Sequence, residues 1–476
     1  MEAFSAVVTT GIYCRPGCSA RPKPEHVRSF DLAAAAEAAG YRACLRCRPY
    51  RSAQPIGATG PELVCRAVRL IVDGALDEGT EAELGARLGV SGRNLRRLFQ
   101  AHLGLTPDGL ARSRRTHFAR RLLDDTDLPV TDVAFAAGFG SVRQLNRACR
   151  DVFRHSPREL RARRRASDRL AADGGLRLRL PFPPPFDWDA LLAYLAPRAI
   201  PGVECVDGST YRRTITVDGD PGVIELHPGG PDHLVLNAHL PHWENLIHIA
   251  ERARRIAGLD ADPDGAARHL ATDPAIGPLM AARPGLRVPG AWDPFETGVR
   301  AILGQQVSVT GATTLAGRLV TRLGDPVAGL GPLGLTHRFP SPETVAGADL
   351  DGLGLTPARA RAIRAFAAAV AGDAVRLDRS VGLDGLVASI TALEGLGPWT
   401  AHYLALRMGE PDAFPATDLG LQRAFARLAP GPAAALSDAA ERWRPWRALA
   451  ATHLWMAPSV GTETPDESQL AAPRRR

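Results

Sequence analysis

Four cysteines near the start of the chain constrain its fold more than any other feature of the sequence. Cys14, Cys18, Cys44 and Cys47 form a C-x3-C…C-x2-C set within residues 1–52. Two close cysteine pairs in a small domain are typical of a tetrahedral Zn²⁺ site, and so short a segment buries too little apolar surface to fold readily without a cross-link. Two disulfides are the alternative, which a reducing compartment disfavours. The set therefore predicts a domain that folds around one Zn²⁺ with these four side chains as ligands.

Charge is distributed unevenly along the chain. The first 165 residues carry 28 Lys and Arg against 17 Asp and Glu, whereas the remaining residues carry 30 against 34. A basic front half is typical of proteins that bind a polyanion such as nucleic acid, although an arginine-rich composition alone produces the same excess. Residues 1–12 lack a basic start followed by an apolar core, and no run of about 18 apolar residues occurs. We therefore expect a cytoplasmic protein with reduced thiols and no membrane partner.

The texture of the sequence divides the chain into four segments. Residues 1–52 hold the cysteine set, residues 60–162 show helical apolar spacing, residues 176–242 alternate as strands do, and residues 243–462 return to long Ala- and Leu-rich helical stretches. This pattern predicts a multidomain α+β protein. Its expected parts are a small zinc domain, an all-α domain, an α/β domain and a second all-α domain.

Two helix-turn-helix patterns lie in the second segment. In the first, Gly89 supplies a turn between two short helices, and Ser91 is placed to cap the second of them. A similar arrangement recurs around Gly138. The second helix of that copy presents a polar set to a DNA major groove: Arg143, Gln144, Asn146, Arg147 and Arg150. One such pattern arises from any helical hairpin, but two copies favour a double helix-turn-helix DNA-binding domain over a plain helical bundle.

A glycine pair in the last segment indicates a helix-hairpin-helix. Gly395 and Gly397 lie in the run 393–401 (LEGLGPWTA), between two apolar helical stretches. Backbone N–H groups at such a hairpin can hold a DNA phosphate without reading sequence, although ordinary helical corners also use glycine. Asp418, which follows Trp399 by 19 residues, supports a catalytic site here. An Asp at this position could equally cap a helix, and the two roles are compatible.

The cysteine segment resembles the N-terminal domain of the Ada family. The matching runs are residues 9–22 (TTGIYCRPGCSARP) and 40–47 (GYRACLRC). That family's first zinc cysteine takes a methyl group from a DNA methylphosphotriester, which implies Cys14 here. Turning the Cys14 thiolate into a thioether removes one negative charge beside the DNA backbone, so methylation strengthens DNA binding. The nearby candidates for phosphate contacts are Arg15, Arg21, Arg46 and Arg48.

The second segment resembles the AraC-type DNA-binding domain. The matching runs are residues 129–139 (PVTDVAFAAGF) and 153–160 (FRHSPREL). Ada-family proteins place such a domain directly after the zinc domain, so the order agrees. Ada-family proteins often end in a methyltransferase domain with a Pro-Cys-His motif, but no cysteine follows Cys205. We therefore expect that activity to be absent and another domain to take its place.

The region 180–455 resembles the AlkA family of broad-specificity 3-methyladenine DNA glycosylases. The runs that carry the resemblance are 184–188 (PPFDW), 281–290 (AARPGLRVPG), 298–309 (GVRAILGQQVSV), 441–447 (ERWRPWR) and 453–455 (HLW). It implies that residues 176–242 form an AlkA-type N-terminal α/β domain and that residues 243–462 form an all-α helix-hairpin-helix glycosylase domain. The implied activity is hydrolytic release of alkylated purines such as 3-methyladenine and 7-methylguanine from double-stranded DNA.

The implied chemistry suits the residues present. Alkylation at N3 or N7 makes a purine cationic and a good leaving group, so the enzyme must flip the nucleotide out and stabilise the positive sugar. Asp418 is the predicted catalytic carboxylate, and it can also orient or deprotonate water. The resemblance implies a pocket of electron-rich rings, which attract a cationic base, although any one of them alone is more typical of a core. These rings are Trp399, Tyr403, Trp455 and Tyr194.

Three positions refine the expected activity. Trp399 stands where bifunctional relatives in the wider superfamily carry a catalytic lysine, so we expect a monofunctional glycosylase that forms no Schiff base. Gln306 stands where the family inserts a wedge, usually apolar, into DNA, and Leu419 replaces a pocket tyrosine; both affect the range of lesions accepted. No cysteine cluster follows the hairpin, so no iron–sulfur cluster is expected.

Three hypotheses about the whole chain remain open on the sequence. The first is a repair enzyme that also senses methylation damage and regulates transcription. The second is a transcription factor whose glycosylase half is inactive, against which Asp418 and the aromatic set argue. The third is an enzyme whose front domains only tether it to DNA. Promoter binding induced by methylation of Cys14 distinguishes the first from the third.

Overall fold

A four-stranded sheet builds the first part of the chain. The computed structural model describes residues 3–52, 61–172, 174–429 and 434–457. The first elements are β1 (Phe4–Val7), β2 (Ile12–Cys14), β3 (Val27–Phe30), α1 (Ala33–Ala38) and β4 (Arg42–Ala43). The strand order is β3-β1-β2-β4, with β1 antiparallel to both neighbours and β2 parallel to β4. The parallel register pairs Tyr13 with Ala43, which sets Cys14 beside Cys44 at the ends of the two strands.

Helices follow throughout the second part. They are α2 (Glu62–Val72), α3 (Glu81–Arg87), α4 (Gly92–Leu103), α5 (Pro107–Asp125), α6 (Val130–Ala136), α7 (Val142–Phe153) and α8 (Pro157–Ala162). Both predicted turns are confirmed, because Gly89 and Gly138 adopt φ values of 73° and 77° that favour glycine. Ser91 accepts a backbone N–H at the start of α4, as predicted, and Ser141 does the same for α7. Each unit is thus a capped helical hairpin, with α5 as the connecting helix.

An antiparallel sheet forms the third part. Its elements are β5 (Leu176–Pro181), α9 (Trp188–Leu195), β6 (Glu204–Asp207), β7 (Thr210–Val217), β8 (Asp220–Gly230) and β9 (His233–His239). The strand order is β5-β9-β8-β7-β6, and every neighbouring pair is antiparallel. The alternating segments at 214–217 and 233–236 lie in β7 and β9, so the strand prediction is confirmed.

The remaining elements described are helical. They are α10 (Leu246–Ile256), α11 (Pro263–Leu270), α12 (Ile276–Ala282), α13 (Pro294–Leu303), α14 (Val309–Leu323), α15 (Pro342–Ala346), α16 (Pro357–Ala371), α17 (Gly382–Thr391), α18 (Pro398–Arg407), α19 (Leu419–Leu428), α20 (Ala434–Glu441) and α21 (Arg447–Trp455). Buried side chains of α10, such as Leu246 and Ile256, belong to the same core as the sheet. A second core runs from α12 to α21. Residues 458–462 of the expected glycosylase domain lie outside the described residues.

The front and back parts of the chain contact each other through charged side chains. Arg69 of α2 pairs with Glu410 at 2.7 Å, and Arg114 of α5 approaches Glu251 of α10 at 3.4 Å. The multidomain α+β architecture expected from the sequence is thus confirmed, with the helix-turn-helix part packed on the last part. Within the described ranges no helix has the length and apolar character that a membrane crossing requires.

Candidate active site and metal centre

Four aromatic rings from three helices come together at the helix-hairpin-helix. Trp399 and Tyr403 lie one turn apart on α18 and stack at 5.3 Å between ring centroids with planes 9° apart. Trp455, at the end of α21, meets Tyr403 edge-on at 6.1 Å. The hydroxyl of Tyr194, from α9, lies 3.1 Å from the hydroxyl of Tyr403. The four rings named from the sequence therefore form one aromatic cluster.

The carboxylate of Asp418 lies against two of these rings. Its Oδ2 accepts a hydrogen bond from Trp399 Nε1 at 2.8 Å, and its Oδ1 accepts one from Trp455 Nε1 at 2.9 Å. Oδ1 also accepts the backbone N–H of Leu421 at 2.9 Å, so Asp418 is the N-cap of α19 as well. The helix-cap interpretation of Asp418 is therefore confirmed, and its catalytic role stays a prediction. Three donors orient one partly exposed carboxylate beside the aromatic cluster.

A buried arginine organises the two phenols. Arg407 Nη1 donates to Tyr403 Oη at 3.0 Å and to Tyr194 Oη at 3.2 Å, while its Nε donates to a backbone carbonyl at 2.7 Å. Burial raises the pKa of a phenol, but the charges of Arg407 and Arg198 and the hydrogen bond with Tyr194 act in the opposite direction and lower the pKa of Tyr403 to about 8. Burial raises the pKa of Tyr194. The cluster thus carries a phenol that loses its proton more readily than an ordinary tyrosine does.

Sequence reasoning missed Arg407, although a signal was present. Trp399, Tyr403 and Arg407 follow one another at intervals of four residues on one helix, so they share a face. The pattern predicts that a third side chain joins the two rings. It does not predict that this side chain is turned inward and bonded to a phenol from α9, because that contact depends on tertiary packing.

The glycine hairpin is tied to a second loop. Gly395 has φ 83°, and Gly397 begins α18 at its N-cap with an ordinary φ of −110°. The side chain of Gln305 donates to Gly395 O at 3.2 Å and to Thr400 Oγ1 at 3.1 Å. The next residue, Gln306, is exposed and has φ 57°. The hairpin and the loop that carries Gln306 therefore form one exposed edge.

The four clustered cysteines form a second candidate site. Their ligand atoms all lie within 4.8 Å of one another, and Cys14 is buried while the other three are half-buried. Sulfur atoms at the corners of a ZnS₄ tetrahedron lie about 3.8 Å apart, which this spacing accommodates. Hydrogen bonding with Cys47 and burial raise the pKa of Cys14, whereas the hydrogen bond from Cys14 lowers the pKa of Cys47 to about 5. Four sulfur donors at this spacing fit a thiophilic metal ion.

The arginines that were expected to contact DNA differ in their exposure. Arg15, Arg21 and Arg46 of the cysteine domain are exposed. Arg48 is buried, and its Nη1 forms an internal ion pair with Asp168 Oδ2 at 2.6 Å. The prediction that Arg48 contacts a phosphate is therefore wrong. On α7 the exposed polar side chains are Arg143, Gln144, Arg147, Arg150 and the acidic Asp151. Asn146 is half-buried and donates to Val142 O at 2.9 Å.

Four families match consecutive parts of the chain. They are the metal binding domain of Ada over residues 2–50, a helix-turn-helix domain over 84–163, the AlkA N-terminal domain over 177–293, and the HhH-GPD superfamily of base excision DNA repair proteins over 299–446. Fold and site together therefore define a helix-hairpin-helix base excision repair protein joined to an Ada-type metal-binding domain and a helix-turn-helix domain.

Individual relatives narrow this class. The chain is 43% identical to the probable bifunctional transcriptional activator/DNA repair enzyme AlkA of Mycobacterium tuberculosis, over 94% of this chain and 92% of the relative. It is 34% identical to DNA-3-methyladenine glycosylase 2 of Escherichia coli, over 57% of this chain and 94% of that enzyme. It belongs to the family of these bifunctional AlkA proteins. A 3-methyladenine DNA-glycosylase from Archaeoglobus fulgidus shares its fold, with a TM-score of 0.52 and 23% identity over 58% of this chain and 97% of that chain.

Proposed function

We propose that this protein releases alkylated purines from DNA by hydrolysis, with Asp418 as the catalytic carboxylate, and that its front half senses methylated DNA and regulates transcription. The observation that carries the proposal is the double hydrogen bond of Asp418 to the indoles of Trp399 and Trp455 beside stacked Tyr403. A charged carboxylate next to ring faces suits a substrate that is cationic before the reaction and whose sugar becomes cationic during it.

Asp418 and the aromatic cluster account for the steps of base release. The flipped base, of the 3-methyladenine or 7-methylguanine type, stacks on the ring cluster. The bond between C1′ and the base nitrogen breaks, and its electron pair neutralises the cationic base. Asp418 stabilises the positive charge that develops on the sugar. Water then adds to C1′ and transfers its proton to Asp418 or to solvent. No lysine amine stands at Trp399, so the enzyme is monofunctional and leaves an abasic site.

The charge of Asp418 can be tested apart from its helix cap. Asp418→Asn keeps an oxygen that can accept the N–H of Leu421 but removes the negative charge, so we expect the rate of 3-methyladenine release from methylated DNA to fall by about 10²- to 10³-fold. Asp293→Asn is the matched control, because Asp293 caps α13 through the N–H of Glu296 at 2.9 Å. DNA affinity and thermal stability should match in the two variants. Base release at the wild-type rate in Asp418→Asn would remove this residue from the mechanism.

The cysteine site completes the first half of the proposal. We assign one Zn²⁺ to Cys14, Cys18, Cys44 and Cys47, which the clustering of their sulfur atoms supports. Zn²⁺ bound there would keep its cysteine ligands ionised at neutral pH. The Cys14 sulfur attacks the methyl carbon of a methylphosphotriester, an S–C bond forms, and the O–C bond breaks with its electron pair on the phosphate. DNA is left with an ordinary phosphodiester, and Cys14 becomes a thioether.

Metal content and peptide mass test this assignment. We expect zinc in a 1:1 ratio to the chain, lost in Cys44→Ser and kept in Cys205→Ser, since Cys205 lies outside the cluster. After incubation with methylphosphotriester DNA, the peptide that contains Cys14 should gain the mass of one methyl group. A folded domain without metal, or a methyl group on another residue, would contradict the proposal.

We place the DNA-binding surfaces at the exposed edges of the fold. Gly395, Gly397 and Gln306 face damaged DNA, and Arg21 approaches the backbone near Cys14. The promoter is read by α7, through its side chains Arg143, Gln144 and Arg147. Arg147→Gln should weaken promoter binding and leave base release unchanged. Where Arg147 contacts a phosphate, the slope of log affinity against log salt concentration should also fall by about one.

The alternative is a transcription factor with an inactive glycosylase half, and it requires that the wild-type chain release no base. The division of the chain at residues 52, 60, 162, 176 and 242 stays a prediction.

A further inference from the structure

A cavity of about 290 Å³ lies between the front and back parts of the chain. Its walls include parts of α2, α5 and α10, the segments 258–266 and 284–290, and residues 406–411 at the end of α18. None of the aromatic cluster residues and not Asp418 lines it, so it is separate from the candidate active site. Among the described residues it is enclosed by parts of the molecule that match different families, which makes it a feature of the joined chain.

Cations outnumber anions in the cavity wall. Seven arginines and four acidic side chains line it. Three of the acids are engaged with arginines of the wall: Glu410 pairs with Arg69 at 2.7 Å, Asp260 with Arg254 at 2.6 Å, and Glu251 with Arg114 at 3.4 Å. The wall therefore carries more cationic than anionic side chains. A cavity with this charge attracts an anion.

Arg121, in the middle of α5, has no anionic partner. Among the described residues no carboxylate oxygen lies within 4.0 Å of its guanidinium, which makes no hydrogen bond, and its Nε is buried. Its nearest specific contact is the ring of Phe118, 5.2 Å from the guanidinium carbon. Burial and the neighbouring charge of Arg254 lower the pKa of Arg121 to about 10. A protein that holds a half-buried guanidinium without a partner sacrifices stability there, which is typical of binding sites.

Apart from Ser52, Ser113 and His117, the rest of the wall is apolar and includes two aromatic rings. Leu110, Met280 and Leu406 contribute aliphatic surface, and Tyr50 and Trp446 contribute rings. A small inorganic ion would leave this surface unused. A ligand that fits both parts carries an anionic group at one end and a flat apolar group at the other.

We propose that this cavity binds a nucleoside monophosphate, with the phosphate at Arg121 and the base against the apolar wall. The guanidinium fork matches phosphate oxygens, and a volume near 300 Å³ is at the lower end for a site that encloses a molecule of this size. The ligand would contact helices of the regulatory part and the segment after α18, and so would stabilise their contact. This proposal does not depend on base excision by Asp418.

Calorimetric titration of the full zinc-loaded chain tests the site. AMP is the probe, with adenosine and inorganic phosphate as comparison ligands. We expect AMP to bind at one site, and Arg121→Met to weaken it by roughly 10- to 100-fold. Arg268→Gln, an exposed arginine of α11, is the control and should bind AMP as the wild type does. Absence of AMP binding overturns the proposal, as does equal affinity for inorganic phosphate or adenosine, because each would make one half of the site irrelevant.

The melting temperature of Arg121→Met provides a second, independent test. Removing an unpartnered buried charge should raise the melting temperature of ligand-free Arg121→Met by roughly 2–4 °C, while the rise that AMP produces in the wild type disappears. Base release without AMP should be unchanged. A lower melting temperature in the ligand-free variant would show that Arg121 is structural and would overturn the proposal.

Discussion

At the scale of single residues, Asp418 caps a helix and also lies against the indoles of the proposed active site. Its Oδ1 accepts from Leu421 N–H and Trp455 Nε1, and its Oδ2 accepts from Trp399 Nε1. Each charge-assisted bond contributes about 1.5–3 kcal/mol, so the carboxylate is held in one orientation before any substrate arrives. The next residue, Leu419, is 65% exposed and leaves this side of the carboxylate open.

The lowered pKa of Tyr403 predicts that its phenol titrates near pH 8. Its pKa is lowered to about 8, whereas a phenol in the unfolded chain has a pKa of about 10. The folded state therefore holds this proton less tightly, and the free energy of unfolding should rise as pH increases from about 8 to about 10. Ultraviolet absorbance of phenolate should show a component near pH 8 that is lost in Tyr403→Phe and shifted upward in Arg407→Met.

Tyr211→Phe is the control for this titration. Burial and the adjacent Glu204 carboxylate raise the pKa of Tyr211 well above its usual value, so its removal should leave the component near pH 8 intact. The assignment fails if the component persists in Tyr403→Phe. It also fails if Arg407→Met leaves the midpoint unchanged, because the guanidinium is the main charge that favours the phenolate.

The sequence predicted the aromatic residues and Asp418 but not the hydrogen bonds that connect them. Asp418 was named from its place after the glycine hairpin, whereas Trp399 and Tyr403 were assigned to the pocket through the family resemblance. Tyr194 and Trp455 are far away in sequence, and only the family resemblance connected them to the site. The role of Arg407 and the internal ion pair of Arg48 were not predicted, because a charged residue is ordinarily expected at the surface and its partner depends on tertiary packing.

At the scale of elements, the hairpin between α17 and α18 depends on one glycine more than on the other. Gly395 has φ 83°, and a Cβ there would lie 3.2 Å from the Ala362 side chain. Gly395→Ala should cost about 1 kcal/mol or more of unfolding free energy and weaken binding to damaged DNA, because the turn must deform. Gly397→Ala is the matched control, since nothing lies within 4 Å of its Cβ position.

Denaturant unfolding and DNA titration measure both glycine variants. Gly397 has an ordinary φ of −110°, so the lower unfolded-state entropy of alanine offsets its weaker N-cap, and the replacement should change stability by only a few tenths of a kcal/mol. Equal effects of the two substitutions would mean that the turn tolerates a side chain at Gly395. The helix-hairpin-helix itself was predictable, because glycines between apolar helical stretches form a local signal. The packing of α10 on the sheet was not, because helical spacing does not say which core receives the helix.

At the scale of the whole molecule, buried charges join three parts of the chain. Asp124, at the end of α5, is fully buried and its carboxylate lies 2.8 Å from Arg120, 3.2 Å from Arg51 and 3.8 Å from Arg48. It also accepts the hydroxyl of Tyr50 at 2.9 Å. Arg48 and Arg51 belong to the segment that follows the cysteine cluster, so the metal-binding and helix-turn-helix parts share one electrostatic centre. Asp168 extends this centre toward the sheet through Arg48.

Asp124→Asn should therefore destabilise both front parts together. The variant leaves buried arginines with one carboxylate fewer, which costs about 3–5 kcal/mol when one partner of a buried ion pair is removed. Asp127→Asn, in the same turn, is the control: Asp127 is half exposed at 49% and pairs with Arg164, so its loss should cost no more than about 1 kcal/mol. Denaturant unfolding followed by circular dichroism and by zinc release should shift to lower denaturant in Asp124→Asn, with both signals in one transition. Separate transitions, or equal stability of the two variants, would mean that the metal-binding part folds independently of the helices beside it.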